Sequence, residues 1–420
     1  MKEIMKNRSF LPEKSEFNII KSELKIVKNE LEKAIKNQKI NAEIFIGGSY
    51  AKGTLVKKKE YDIDIFVRFD WKYENLSEEL ESVIKSVAKN LREGYERLHG
   101  SRDYFKIRRG NIIFEIIPVT KINTTKEARN VTDLSYFHVN YVKKNINKKI
   151  AEQIAIAKTF CKAQGVYGAE SYIKGFSGYA LECLLIYYKN FEKMLKELVK
   201  VKGRIIIDPA KRYKNEDEII INLNESKLNN PIVLIDPTWK DRNVLAALSN
   251  EAFQKFQNKA RQFLSKPDIS FFEEKNIDMD EIKEEANRKK AEFVNVKLVT
   301  NKQAGDIAGT KLKKFYSFVI KDIEKQFLII RKEFLYDDKQ SANFYLIVKS
   351  KGEIVKIGPP VEMKSAVKAF KKANKNTFIK NKAIHSRIKI NYSAKRFLLN
   401  WMKMYSKKIK EMDIVEFKII

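Results

Sequence analysis

Sulfur and imidazole are scarce in this 420-residue chain, which has two cysteines and three histidines. Cys161 and Cys183 fall in apolar helical patterns without metal-ligand spacing. A disulfide framework and a thiolate metal site are therefore not implied, and two reduced core thiols are expected. The histidines are too far apart in the chain to suggest zinc. Long hydrophobic runs are missing as well. The longest apolar stretch, Tyr179 to Tyr188, is interrupted by Glu182 and is far too short to cross a bilayer. Residues 1–4 show no hydrophobic core of a signal peptide. The expectation is a soluble, cytoplasmic protein with no membrane partner. No internal repeat or low-complexity tract occurs. Acids are few relative to bases: 54 Asp and Glu stand against 84 Lys and Arg, a formal charge of +30. A composition biased to Lys, Ile and Asn explains part of that surplus. The rest implies a polyanionic partner, most simply nucleic acid. The length allows two to four domains.

What the chain does have is a spaced set of acids near its start. Gly48-Ser49 is followed, after twelve residues, by Asp62-Ile63-Asp64. The run 61–67 is rich in β-formers and reads as a mostly buried strand. Carboxylates two apart on a strand point to the same face, where they can hold divalent ions against a triphosphate. Residues 43–46 read as an earlier strand, so the pieces are strand, Gly-Ser turn, short helix and acid-bearing strand. The N–H groups of such a turn and helix start make an anion site. Residues 103–108 and 111–117 read as a hairpin turning at Arg109-Gly110-Asn111. It carries Glu115 among apolar residues, where a carboxylate is costly unless paired or metal-bound. Three acids on adjacent strands would hold two Mg²⁺ ions and leave one acid to take a proton from an attacking hydroxyl.

These features resemble the polymerase-β-type nucleotidyltransferase superfamily and, within it, the archaeal-type (class I) CCA-adding enzymes, the tRNA nucleotidyltransferases. The likeness extends past the acids. Lys158-Thr159-Phe160-Cys161-Lys162-Ala163-Gln164-Gly165-Val166-Tyr167-Gly168-Ala169-Glu170 is similar to that family's central helix and following turn. Lys174-Gly175-Phe176-Ser177-Gly178-Tyr179, then Asp236-Pro237 with Asp241-Arg242-Asn243-Val244, and more weakly Gly358-Pro359-Pro360, resemble later motifs. The likeness is dense from about 45 to 250 and thins beyond 275. It implies Asp62, Asp64 and Glu115 as catalytic metal ligands. It places Gly48, Ser49 and Lys52 at the phosphates, His138 near the triphosphate, and Lys158 and Tyr167 at triphosphate or sugar. Arg242 is implied to read the incoming base, a task its five fixed donors suit. Three positions depart from the family pattern: Lys52 stands where Arg is usual, Asp62 where Glu is frequent, and Glu115 where Asp is favoured.

The fold expected is a multidomain α+β chain. A polymerase-β-type nucleotidyltransferase head with a mixed sheet spans 1–140, and a mainly helical central domain 141–270. A ferredoxin-like α+β body spans 271–375, and a basic C-terminal tail 376–420. Helices are expected over 16–37 with Ser15 as cap, over 76–93 with Asn75 as cap, from 147, and over 178–200 and 242–265. Short strands are expected at 204–207 and 231–235. The charged stretch 272–290 reads as a boundary containing an exposed helix. Beyond it the pattern gives strand 292–299, helix 307–324, strands 325–335, 342–350 and 353–357, helix 363–373, and a last helix near 393–411.

The function implied is template-independent building or repair of the 3′-terminal CCA of tRNA from CTP and ATP, with two Mg²⁺ ions. The basic C-terminal half would clasp the acceptor stem and T arm. Two other readings stay open: an oligoadenylate-synthetase-like or poly(A)-polymerase-like enzyme, and a non-catalytic RNA-binding protein on the same scaffold. The oligomeric state is open too, a homodimer included.

Overall fold

The computed structural model describes residues 9–274 and 278–420. Residues 1–4, read above for a leader, lie outside that range, as do 275–277 of the charged boundary. The chain divides into two compact units, Met1–Lys275 and Asn276–Ile420. Head and central segments both fall in the first.

The first unit opens with α1 (Lys14–Asn37), whose Ile20, Leu24, Val27, Leu31 and Ile35 are buried at helical spacing. Its cap is Glu13 and not Ser15: Glu13 and Glu16 close a capping box, so Ser15 lies inside the first turn. The head sheet contains β1 (Ala42–Ile46), β2 (Tyr61–Phe69), β3 (Tyr95–Leu98), β4 (Tyr104–Arg109) and β5 (Ile112–Thr120), in the order β1-β2-β5-β4-β3. Only β2 and β5 run parallel; the other pairs are antiparallel. Between β1 and β2 sits the one-turn helix α2 (Gly48–Lys52), and after β2 comes α3 (Leu76–Leu91). Strand alternation places Tyr61, Ile63 and Ile65 in one core with the apolar faces of α1 and α3. It therefore turns Asp62 and Asp64 to the other face. Farther along that face, Phe66, Ile117 and Val119 form a small apolar cluster.

The central part runs through α4 (Ser135–Asn145), α5 (Lys148–Ala163), α6 (Gly178–Tyr188), α7 (Phe191–Leu198), β6 (Ile205–Ile207), α8 (Glu216–Asn222), α9 (Glu225–Leu228), β7 (Ile232–Leu234) and α10 (Asn250–Ser265). The expected helix 178–200 is two helices. Lys189 adopts φ 64°, and the Asn190 side chain caps the second helix by accepting from the Lys193 N–H. The expected helix 242–265 starts only at Asn250, so Arg242 is not helical. The cause is Asn243, whose side-chain oxygen accepts from the N–H groups of Leu234 and Leu245 and ties this segment to β7.

The second unit contains α11 (Met279–Arg288), β8 (Glu292–Thr300), α12 (Asp306–Gln326), β9 (Phe327–Tyr336), β10 (Ser341–Ser350), β11 (Glu353–Pro360), α13 (Lys364–Ala373), β12 (Thr377–Lys380), β13 (Ala383–Lys389), α14 (Ala394–Met404), α15 (Ser406–Glu411) and β14 (Ile414–Ile419). Its main sheet has the order β14-β8-β10-β9 with every pair antiparallel, which is the ferredoxin-like arrangement. The closing helix and strand are not where the sequence pattern put them. Helix 363–373 belongs to an inserted sheet of order β11-β13-β12. The ferredoxin-like sheet is completed by β14, so 376–420 is part of the fold and does not trail as a tail. Leu398 and Trp401 of α14 and Ile414 and Phe417 of β14 share one core with Leu312 and Phe315 of α12. Burial of that size fixes the segment in place. The last helix breaks at Tyr405 into α14 and α15. No described helix is long and apolar enough to cross a membrane.

Candidate active site

Parallel pairing of β2 with β5 sets Asp64 directly opposite Glu115. Asp62 lies two residues back on the same face. Gly48 stands against this group with φ +61°, and a Cβ there would lie 1.7 Å from Asp64 Oδ2. Backbone conformation and close approach both demand glycine at this turn. Each outer acid is met by an ammonium: Lys58 pairs with Asp62, and Lys106 Nζ lies 3.0 Å from Glu115 Oε1. Lys106 is the β4 register partner of Glu115. Among the described residues no ammonium pairs with Asp64 in this way. Burial of its carboxyl, and next the charge of Glu115, push its pKa up to about 7.

Among the described residues no three Asp, Glu, His or Cys side chains are already gathered as a cation cage. The donor chemistry nevertheless fits divalent ions. Two hard carboxylates are paired with lysine ammoniums, and a third lies beside them, buried and acted on by the charge of Glu115.

Lys52, at the end of α2, is turned away from the acids' oxygens to a second buried carboxylate. Its Nζ lies 2.6 Å from Glu182 Oε2 on α6. Lys158 of α5 approaches the other oxygen, Oε1, at 2.8 Å, and also donates to the carbonyl and hydroxyl of Thr54. Burial raises the Glu182 pKa, but the two ammonium groups outweigh it and bring it down to about 2. Tyr167 stands beside Lys158: a Cβ on Gly178 would meet the Tyr167 hydroxyl at 2.9 Å and Lys158 Nζ at 3.9 Å.

A third group forms round Asp236, which is fully buried just after β7. Its oxygens accept from His138 Nε2 at 3.1 Å, the Tyr179 hydroxyl at 3.1 Å, Arg242 at 2.7 Å, and the N–H and hydroxyl of Thr238. The His138 and Tyr179 rings stack at 4.1 Å. Burial would raise Asp236, but these donors and the Arg242 charge hold its carboxyl well below the ordinary range.

The implied site residues thus fall into three groups. Gly48, Ser49, Asp62, Asp64 and Glu115 lie at the turn and strands; Lys52, Lys158 and Tyr167 lie around Glu182; His138 and Arg242 lie on Asp236. Lys52 links them, since its charge acts on Asp64, His138, Tyr167 and Glu182. Lys158 is 4% exposed and faces the interior. The sequence reading missed Glu182, Asp236 and Lys106 as site residues. A signal existed for two of them: Glu182 is the lone acid in the apolar run of α6, and Asp236 follows a buried strand. Lys106 gave none, because only strand register brings it to Glu115.

Comparison with known proteins adds to this geometry. Residues 24–151 match the family described as nucleotidyltransferase domain, and 152–273 match tRNA nucleotidyltransferase, second domain. The chain is 42% identical over 244 residues to a CCA-adding enzyme of Nanoarchaeum equitans, covering 58% of this chain and 60% of that protein. It is 29% identical over 363 residues to a CCA-adding enzyme of Methanocaldococcus jannaschii, covering 84% of this chain and 78% of that protein. A CCA-adding enzyme of Thermoplasma acidophilum is 31% identical over 266 residues, covering 63% of this chain and 57% of the relative. The matched region therefore spans about 60% of the length of the Nanoarchaeum and Thermoplasma proteins. A solved cytoplasmic RNA terminal U-transferase aligns with a TM-score of 0.49 at 13% identity, over 66% of this chain and all of that one.

Proposed function

We propose that this chain is a member of the archaeal-type CCA-adding enzyme family of the polymerase-β-type nucleotidyltransferase superfamily, a reading its family-model matches and relatives support, and that it builds and repairs the 3′-terminal CCA of tRNA from CTP and ATP. The observation that carries this reading is the Asp64–Glu115 register beside Gly48, with Asp62 on the same face.

In this reading the 3′-terminal hydroxyl of tRNA attacks the α-phosphate of the bound nucleotide and pyrophosphate leaves. Asp62, Asp64 and Glu115 would hold two Mg²⁺ ions, which would neutralise charge on the reacting phosphate. Glu115 takes the hydroxyl proton. Lys58 and Lys106 offset the charges of Asp62 and Glu115. Ser49 and Lys52, backed by Lys158 and Tyr167, receive the triphosphate, with His138 close by. Arg242 presents its guanidinium to the base edge from a fixed perch on Asp236. The second unit holds the acceptor stem and T arm through phosphate and shape contacts, consistent with the chain's surplus of positive charge.

The test is incorporation of labelled CTP and ATP into tRNA lacking its CCA. Addition should require Mg²⁺ and be abolished by Asp64→Ala, with tRNA affinity nearly intact. Activity of the variant within about tenfold of the parent would refute the proposed metal site.

A further inference from the structure

We propose that Glu182 is the positioning residue for the nucleotide triphosphate: it fixes Lys52, with Lys158 as the buried counter-charge behind it. This rests on the nucleotidyl-transfer reading above and assigns a role to a residue outside its metal and base sites.

The geometry is specific. Glu182 is fully buried in a helix that is otherwise apolar from Ala180 to Ile186. A carboxylate there persists only if both oxygens are satisfied. Oε1 takes Lys158 and the Thr54 hydroxyl, at 2.8 and 2.7 Å; Oε2 takes Lys52 at 2.6 Å. An ammonium has three donors. Lys158 spends all three inside the protein, on Glu182, the Thr54 hydroxyl and the Thr54 carbonyl. Among the described residues Lys52 spends one, on Glu182. Lys52 is also the less enclosed of the two lysines, at 10% side-chain exposure against 5%.

Two cations share one anion, so within the set Lys52, Lys158 and Glu182 one positive charge is left over. That charge sits on α2, three residues after Ser49, within reach of Asp64. An anion completes the cluster, and a triphosphate next to the acid face is the anion the proposed reaction brings. The arrangement also gives a physical reason for lysine at position 52. A compact ammonium suits one carboxylate oxygen, whereas a guanidinium would spread over both and compete with Lys158.

The test is calorimetric binding of inorganic tripolyphosphate with Mg²⁺, alongside steady-state addition to tRNA. Glu182→Gln should raise the tripolyphosphate Kd, and the KM for both CTP and ATP, by about tenfold or more, with a smaller fall in kcat. Where Glu182→Gln does not fold, Glu182→Gln combined with Lys158→Met removes the buried pair as a unit and should show the same weakened binding. Either folded variant binding tripolyphosphate as tightly as the parent, or more tightly, overturns the proposal. A parent enzyme that extends tRNA without binding tripolyphosphate overturns it too. Glu182-dependent tripolyphosphate binding in a protein that does not extend tRNA would sustain this site and reject the proposed function.

Discussion

Asp64 and Glu115 face each other across the only parallel pair of strands in the head sheet. Two carboxylates held so close repel, and the protein leaves Asp64 to bear most of that cost. Its carboxyl has an ordinary pKa of 3.8 and is pushed up to about 7 by burial first and by Glu115 next. The sign of the linkage follows. Between those two values the folded chain keeps a proton that the unfolded chain has released. The contribution of Asp64 to stability is therefore greatest below about pH 4, falls as pH rises toward 7, and stays reduced above it. In EDTA, Asp64→Asn should remove this loss, melting roughly 2–6 °C above the parent at pH 8 and about equally at pH 4. Parallel Tm profiles for parent and variant would show that Asp64 carries no such strain. Adding Mg²⁺ at pH 8 should raise the Tm of the parent more than that of the variant.

Gly48→Ala should cost activity far more than it costs folding. The new Cβ would fall 1.7 Å from Asp64 Oδ2, at a φ of +61° that alanine adopts poorly. Displacing a metal ligand by about 1 Å lowers turnover on the order of a hundredfold. Addition rates within a few-fold of the parent would mean that the carboxylate has freedom the packing denies it.

Arg242→Ala should lower kcat/KM for CTP and ATP and relax discrimination against UTP and GTP by roughly ten- to a hundredfold, since lost base-edge hydrogen bonds are worth about 1–3 kcal/mol. Asp236→Asn should act in the same direction more weakly, because the amide can still accept from Arg242 but no longer anchors it by charge. Equal losses for all four nucleotides would place Arg242 on phosphate.

Deleting 376–420 should unfold the second unit, because it removes β14 and the core residues Trp401 and Phe417. The RNA contribution of this region is better tested by charge alone. Lys380, Lys382, Lys403 and Lys407 are all exposed. Replacing the four with alanine should weaken tRNA binding and flatten its salt dependence, by a slope of roughly 0.7–0.9 for each lysine that meets a phosphate. An unchanged affinity and salt slope would take these lysines out of the RNA surface.

The acid face was legible because strand alternation is a local property. Asp62, Asp64 and Glu115 each sit in a β-rich run, and period two fixes their direction without knowledge of the neighbours. The turn glycine was legible for the same reason. The two buried hubs were not. A lone acid beside apolar residues shows in the pattern, but what it holds does not: besides nearer partners, Glu182 binds Lys52 at a separation of 130, and Asp236 binds His138 at 98. Periodicity also misjudged helix ends wherever a side chain captured backbone groups. Asn190 and Asn243 did so, splitting one expected helix and delaying another. In the second unit the pattern found the ferredoxin-like elements but assigned the wrong closing pair. An inserted sheet with its own helix mimics the final βα step, and only strand pairing separates the two.

The proposed function requires ordered addition of C, C and A. It is tested most directly by offering tRNAs that lack CCA, CA or A to the protein with Mg²⁺ and one nucleotide at a time. CTP alone should extend the first by two residues and the second by one, then stop, and ATP alone should complete only the third. Untemplated runs of A on all three tRNAs, or tight tRNA binding with no extension of any, would contradict it.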